Sequence, residues 1–227
     1  PKLKGKADQY GLLFSDRVVD VINALLLPRY GLAPYVTDGV ALDAEEEEIV
    51  EGLSRAGTRL VGFTRTGLFK RLESSGSVFL RSVERHVLRN LMYLYAVEHG
   101  YDIPIGPQPT SLFADSDEPP EDLLDAGEGG EADAVGGTDL DSLRARAALL
   151  YDELRAAGSR QLRWLRSDIL QGTFADDLLA DAEALFGLLE AFGSWDQEHD
   201  VKVDALVKIL LGDHPEEKVV VFTEYAD

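Results

Sequence analysis

"LFKRLESSGSVFLRSVERHVLRNLMYLYAVEHG", residues 68–100, is the stretch on which the fold turns. The small residues Ser74-Ser75-Gly76-Ser77 interrupt an apolar-periodic run, and they either end one helix or lie on the face of a longer one. Stepping round a helix at about 100° per residue from Lys70 puts Leu68, Leu72, Phe79, Leu80, Val83, Val87, Leu91 and Leu94 in one arc, roughly 160° to 300°. The apolar phase is the same on both sides of the small residues. That predicts one continuous helix, despite a cost of ~1 kcal/mol for the internal glycine. Ser75 and Gly76 then lie in or beside the apolar arc, where a partner helix could approach closely. The same wheel gathers Lys70, Arg71, Arg81, Arg85 and Arg89 within about 100° on the opposite side. This basic stripe has two readings: contact with nucleic-acid phosphates, or a solvated face paired with acidic neighbours.

Outward from this stretch, the rest of the chain also reads as mainly helical. "LLFSDRVVDVINALLLPRYG" carries apolar residues at helical spacing until Pro28 and Gly31. Asp43 is placed to N-cap "AEEEEIVEGLSRAG", whose glutamates suit the positive end of a helix dipole and read as a solvated first turn. Residues 102–141 differ in kind: "IPIGPQPT" is proline-rich, and the acidic, glycine-rich run after it lacks the apolar surface to order itself. Helix returns in "SLRARAALLYDELRAAGSRQLRWLRSDIL", expected to break near Gly158-Ser159. Two further helical runs follow, separated at Gly193-Ser194, with Gly212 as a natural C-cap. "KVVVFTEY", residues 218–225, reads as a doubly covered strand of a parallel sheet, with no partner strand in this chain. An exposed edge there would invite pairing with a second copy through residues 218–225.

The divisions expected are a helical region with the basic stripe at 1–101, an acidic Pro/Gly-rich linker or insertion at 102–141, a second helical region at 142–217 and a strand-bearing end at 218–227. The fold class is mainly α, an irregular multi-helix bundle with a C-terminal strand. A formal charge of −20 over 227 residues opposes non-specific binding to nucleic acid or to a membrane, so any polyanion site must be local. The absence of cysteine removes disulfides, thiolate metal sites and cysteine nucleophiles. No signal pattern or membrane-length apolar run occurs, and a cytoplasmic protein is expected. A start at Pro1 and an end just after a strand-like run read as a piece of a longer protein.

Recognisable catalytic chemistry is missing. No phosphate-binding G-x-x-x-x-G-K-[ST] loop occurs; "GFTRTG" lacks the lysine. His86, His99, His199 and His214 have no metal-pair spacing. No catalytic residue, cofactor site or metal site is assigned within this chain.

"GLFKRLESSGSVFLRSVERH" resembles a segment of bacterial Swi/Snf-like helicases of superfamily two, in Lys70, Arg71, Glu73, Ser74 and Ser75. "DVKVDALVKILLGDHPEEKVVVFTEYAD" is similar to the same family's approach to motif IV, with an Asp-x-Lys helix at Asp200 and Lys202 before the strand Lys218 to Tyr225. "RWL" at 163–165 and the run ending in "SWDQEHDVK" agree with that arrangement, and the likeness extends over 58–227 apart from the acidic insert. It implies a longer ATP-dependent translocase in which ATP and magnesium bind between two RecA-like lobes. This chain would be the helical region between the lobes plus the opening strand of a truncated second lobe. Its partners would be those lobes and nucleic acid, DNA being the expected polymer. The Walker lysine, the acidic magnesium box and the later arginine-finger motif are absent, so no ATP-site residue carries over and the chain alone is expected to be inactive. The alternative is a free-standing helical module that recruits a protein partner through its apolar seam and acidic segment.

Overall fold

The computed structural model describes residues 9–106, 139–157, 162–193, 195–196 and 200–222. Along these the chain forms α1 (Gln9–Leu13), α2 (Asp16–Ala24), α3 (Ala44–Ser74), α4 (Gly76–Glu98), β1 (Ile103–Ile105), α5 (Leu140–Ala157), β2 (Arg163–Leu165), α6 (Gly172–Phe192) and α7 (Val201–Val207). Short 3₁₀ turns at Ala33–Tyr35 and Ser167–Ile169 and a π turn at Lys208–Asp213 complete them. It is a mainly helical, irregular bundle with one small antiparallel sheet. No helix of the described residues is long and apolar enough to cross a membrane.

α4 is the central helix, packing against α6, α5 and α3. Every residue of the apolar arc is buried: Leu68, Leu72, Phe79, Leu80, Val83, Val87, Leu91 and Leu94. The continuous helix expected through residues 74–77 is nevertheless broken. Ser75 is extended, with φ −149° and ψ 136°, and serves as both the C-cap of α3 and the N-cap of α4. Its amide still donates to the Arg71 carbonyl and its carbonyl accepts from Phe79, so both helices run right up to one residue. The phase count could not detect this break, because both helices deliver their apolar faces to one core.

Asp43 caps α3 as expected. Its carboxylate accepts from the Glu45 and Glu46 amides, and Glu46 accepts in return from the Asp43 amide, forming a capping box. The glutamate run is more than a solvated turn. Glu46 is buried and takes Arg166 in a two-point pair, Nε to Oε1 at 2.6 Å and Nη2 to Oε2 at 3.1 Å. The Arg166 guanidinium, helped by the Asp43 amide against the effect of burial, holds the Glu46 carboxyl below its usual range. Arg163 adds bonds to the Glu45 carbonyl and the Glu48 carboxylate. Arg163, the first residue of "RWL", and Arg166, just after it, thus tie β2 to the start of α3.

That tie accounts for a second departure. Ile103–Ile105, read from its prolines as part of a linker, is a buried strand, with Ile103 opposite Leu165 and Ile105 opposite Arg163. Pro104 donates no amide, and on a two-stranded sheet it loses little by that. The Pro104 carbonyl accepts from the buried Tyr93 hydroxyl of α4. Residues 107–138, most of the acidic segment, and Gly158-Ser159 lie outside the described residues.

The first helical run also divides, at Phe14-Ser15, into α1 and α2. After α2 the chain turns sharply through Leu27, a non-glycine residue at φ 54°. Asp181 of α6 makes this conformation tenable by accepting from the Leu26 amide at 2.8 Å and the Leu27 amide at 2.7 Å, while Arg65 of α3 donates to the Leu25 carbonyl. Asp181 is itself buried, which pushes its carboxyl above the usual range against the opposing effect of the two amides. Asp181→Ala would leave both amides without an acceptor. The expected loss is about 2–4 kcal/mol of unfolding free energy in a urea titration, with Asp181→Asn intermediate; a change within about 0.5 kcal/mol, ordinary for a neutral surface substitution, would contradict this role.

Candidate functional site

The break at Ser75 positions a cluster built from four parts of the chain. Gly76 opens α4, and the benzo ring of the Trp195 indole lies where a side chain on Gly76 would stand: any Cβ there would overlap the ring. Only glycine permits this approach. Close packing was expected at this position with a helix as the partner; the occupant is one indole from the segment between α6 and α7.

Asp200 gathers the polar contacts. Its buried carboxylate accepts from the Tyr10 hydroxyl at 3.1 and 3.2 Å and from Trp195 Nε1 at 3.1 Å. It also N-caps α7, accepting from the amides of Lys202 at 2.9 Å and Val203 at 3.3 Å. Tyr10 and Trp195 meet edge to face with centroids 4.9 Å apart. Lys202 Nζ reaches over the Tyr10 ring, 4.6 Å from its centroid, and donates to the carbonyls of Glu73 and Ser74. Those carbonyls belong to the last turn of α3, the negative end of its dipole, where a cation is favoured.

The basic stripe fares differently. Ser75 places Lys70 and Arg71 on a different helix from Arg81, Arg85 and Arg89. Arg71 is buried and donates to Ser82 Oγ at 3.0 Å, stapling the end of α3 to α4. Lys70, Arg85 and Arg89 are half-buried and each has interactions within the protein. Arg81 is exposed. Among the described residues no cluster of histidine, aspartate or glutamate could hold a metal ion.

The C-terminal run also departs from expectation. Lys218 to Phe222 forms no strand and is exposed, Phe222 to 92%; residues 223–225 lie outside the described part. A strand needs a neighbour's backbone to pair with, and none is present among the described residues.

No family model, curated protein or solved structure matches this chain. Tyr10 and Trp195 were missed by the sequence reading. Neither belongs to a periodic pattern; Trp195 lay within the quoted "SWDQEHDVK" without a role assigned to it, and Tyr10 had no signal of its own.

Burial pushes the Tyr10 phenol up to about 12 from its ordinary 10.0; the Gly76 amide opposes the shift, and the Asp200 charge adds to it. A phenol whose folded pKa is raised contributes stability that is complete below pH 10 and is lost as the pH rises towards 12. The stability difference between the protein and its Tyr10→Phe variant should therefore be flat below pH 10 and fall between pH 10 and 12 in alkaline denaturant titrations. A difference unchanged across that window would contradict the assignment.

Proposed function

We propose that this chain is the helical region between two RecA-like lobes of an ATP-dependent nucleic-acid translocase similar to bacterial Swi/Snf-like helicases. One observation carries the reading. The stretches that bear the resemblance, "KRLESSGS" and "SWDQEHDVK", lie more than a hundred residues apart in sequence and meet in one cluster, with Lys202 on the carbonyls of Glu73 and Ser74. Residues that share a motif pattern have a physical reason to do so when they form one contact.

The role is positional. The chain has no phosphate-binding loop and no arginine-finger motif, so ATP and magnesium would be bound by the lobes. The helical region would set where the second lobe begins, through α7 and the apolar run at 219–222 that follows it. Nucleic acid, DNA for preference, would approach α4 from the side of Arg81, with Lys70, Arg85 and Arg89 secondary because each already has interactions within the protein.

A second reading, a free-standing module that recruits a protein, draws on the exposed apolar side chains of α7 and the segment after it. The flanking reading frame discriminates between the two. The motor reading expects a Gly-Lys-Thr-type phosphate loop upstream and a Gly-Arg-x-x-Arg-type segment downstream, and nucleic-acid-stimulated ATP hydrolysis by the protein carrying them. Flanks without either motif would overturn it. In such a protein, Arg81→Glu should weaken nucleic-acid binding and lower the slope of log affinity against log salt by about one; an unchanged slope would return Arg81 to the solvated surface.

A further inference from the structure

α7 is attached to the bundle in an unusual way. No residue from Val201 to Phe222 is buried, and large apolar side chains stand open along it, including Val203 and Leu211, exposed 52% and 74%. A surface helix ordinarily holds its place by burying an apolar stripe. This one has none among the described residues. Its ties are instead polar and gathered at its first turn: Asp200 to Tyr10 and Trp195, and Lys202 to the end of α3. At its far end the backbone passes into the π turn Lys208–Asp213, a local departure from α geometry of the sort that recurs at functional sites.

We propose that Asp200 and Lys202 form a releasable latch that holds α7, as a hinged arm, against the α3–α4 junction. The two residues divide the work. Asp200 anchors the root of the arm in the aromatic pocket of Tyr10 and Trp195, and its cap fixes where the helix begins. Lys202, two residues further on, reads the C-terminal carbonyls of α3 and sets the direction in which the arm leaves. The Lys202 bonds to the end of α3 are exposed, and exposed hydrogen bonds open locally at far lower cost than a packed core. The arm can therefore swing while the bundle stays folded, carrying the apolar run 219–222 with it. These contacts support the latch whether or not the chain belongs to a motor.

Hydrogen exchange on the 227-residue chain tests this. Lys202→Met keeps an apolar stem over Tyr10 but has no donor for Glu73 and Ser74, and it leaves the Asp200 cap intact. The amides of Asp204 to Val207 should then exchange roughly tenfold faster, while those of α4 and α6 keep their rates, as expected for a local opening. Lys202→Arg should restore slow exchange, since a guanidinium can serve the same carbonyls. Asp200→Asn should free the same amides and also raise acrylamide quenching of Trp195, read in a Trp164→Phe background. Unchanged exchange at Asp204 to Val207 in both the Met and Asn variants would overturn the latch. Equal acceleration in α4 and α6 would also overturn it, by showing that the arm and bundle open as one unit.

Discussion

The indole of Trp195 occupies the space that any side chain at residue 76 would need, and much of the molecule follows from that exclusion. With glycine there, a segment from the far end of the chain can lie directly on the backbone at the start of α4. The ring then carries Asp200 into reach of Tyr10, and Asp200 places Lys202 over the last carbonyls of α3. The break at Ser75 is what turns those carbonyls outward to be met. A continuous helix would have spent them on internal hydrogen bonds, leaving no acceptors for a lysine at that point.

Ionic and polar ties govern the periphery as apolar packing governs the centre. The chain is strongly acidic, yet several of its acids have precise structural work. Glu46 closes a helix cap and fastens β2 through Arg166; Asp181 holds a left-handed turn; Asp200 seats two aromatic residues and a helix. Each accepts from two or more donors, which is what makes a buried carboxylate tolerable. The result is a core around α4 to which the neighbouring segments are fastened by specific polar contacts.

The sequence disclosed the core well and the connections poorly. Hydrophobic phase identified Phe79, Val83 and Val87 as buried, and Asp43 as a cap, because both signals are local. The same phase hid the break at Ser75, since helices on either side of one extended residue can face a common core. Pro104 masked a strand because proline is counted against strands, although on a small sheet its missing amide costs little. Arg71 looked like part of a basic stripe until the break turned it inward to Ser82. Tyr10 had no local signature, and Trp195 lay in a quoted stretch that gave it no role; their contact exists only where residues far apart in sequence meet.

The integrity of the α3–α4 junction depends on the contact between Gly76 and Trp195. The most direct measurement is the NMR signature of that contact in the unmodified protein. The Hα protons of Gly76 should be shifted upfield by the indole ring current and show nuclear Overhauser contacts to the Trp195 ring. Gly76 Hα protons at ordinary glycine shifts, with no contact to Trp195, would contradict the account at its root.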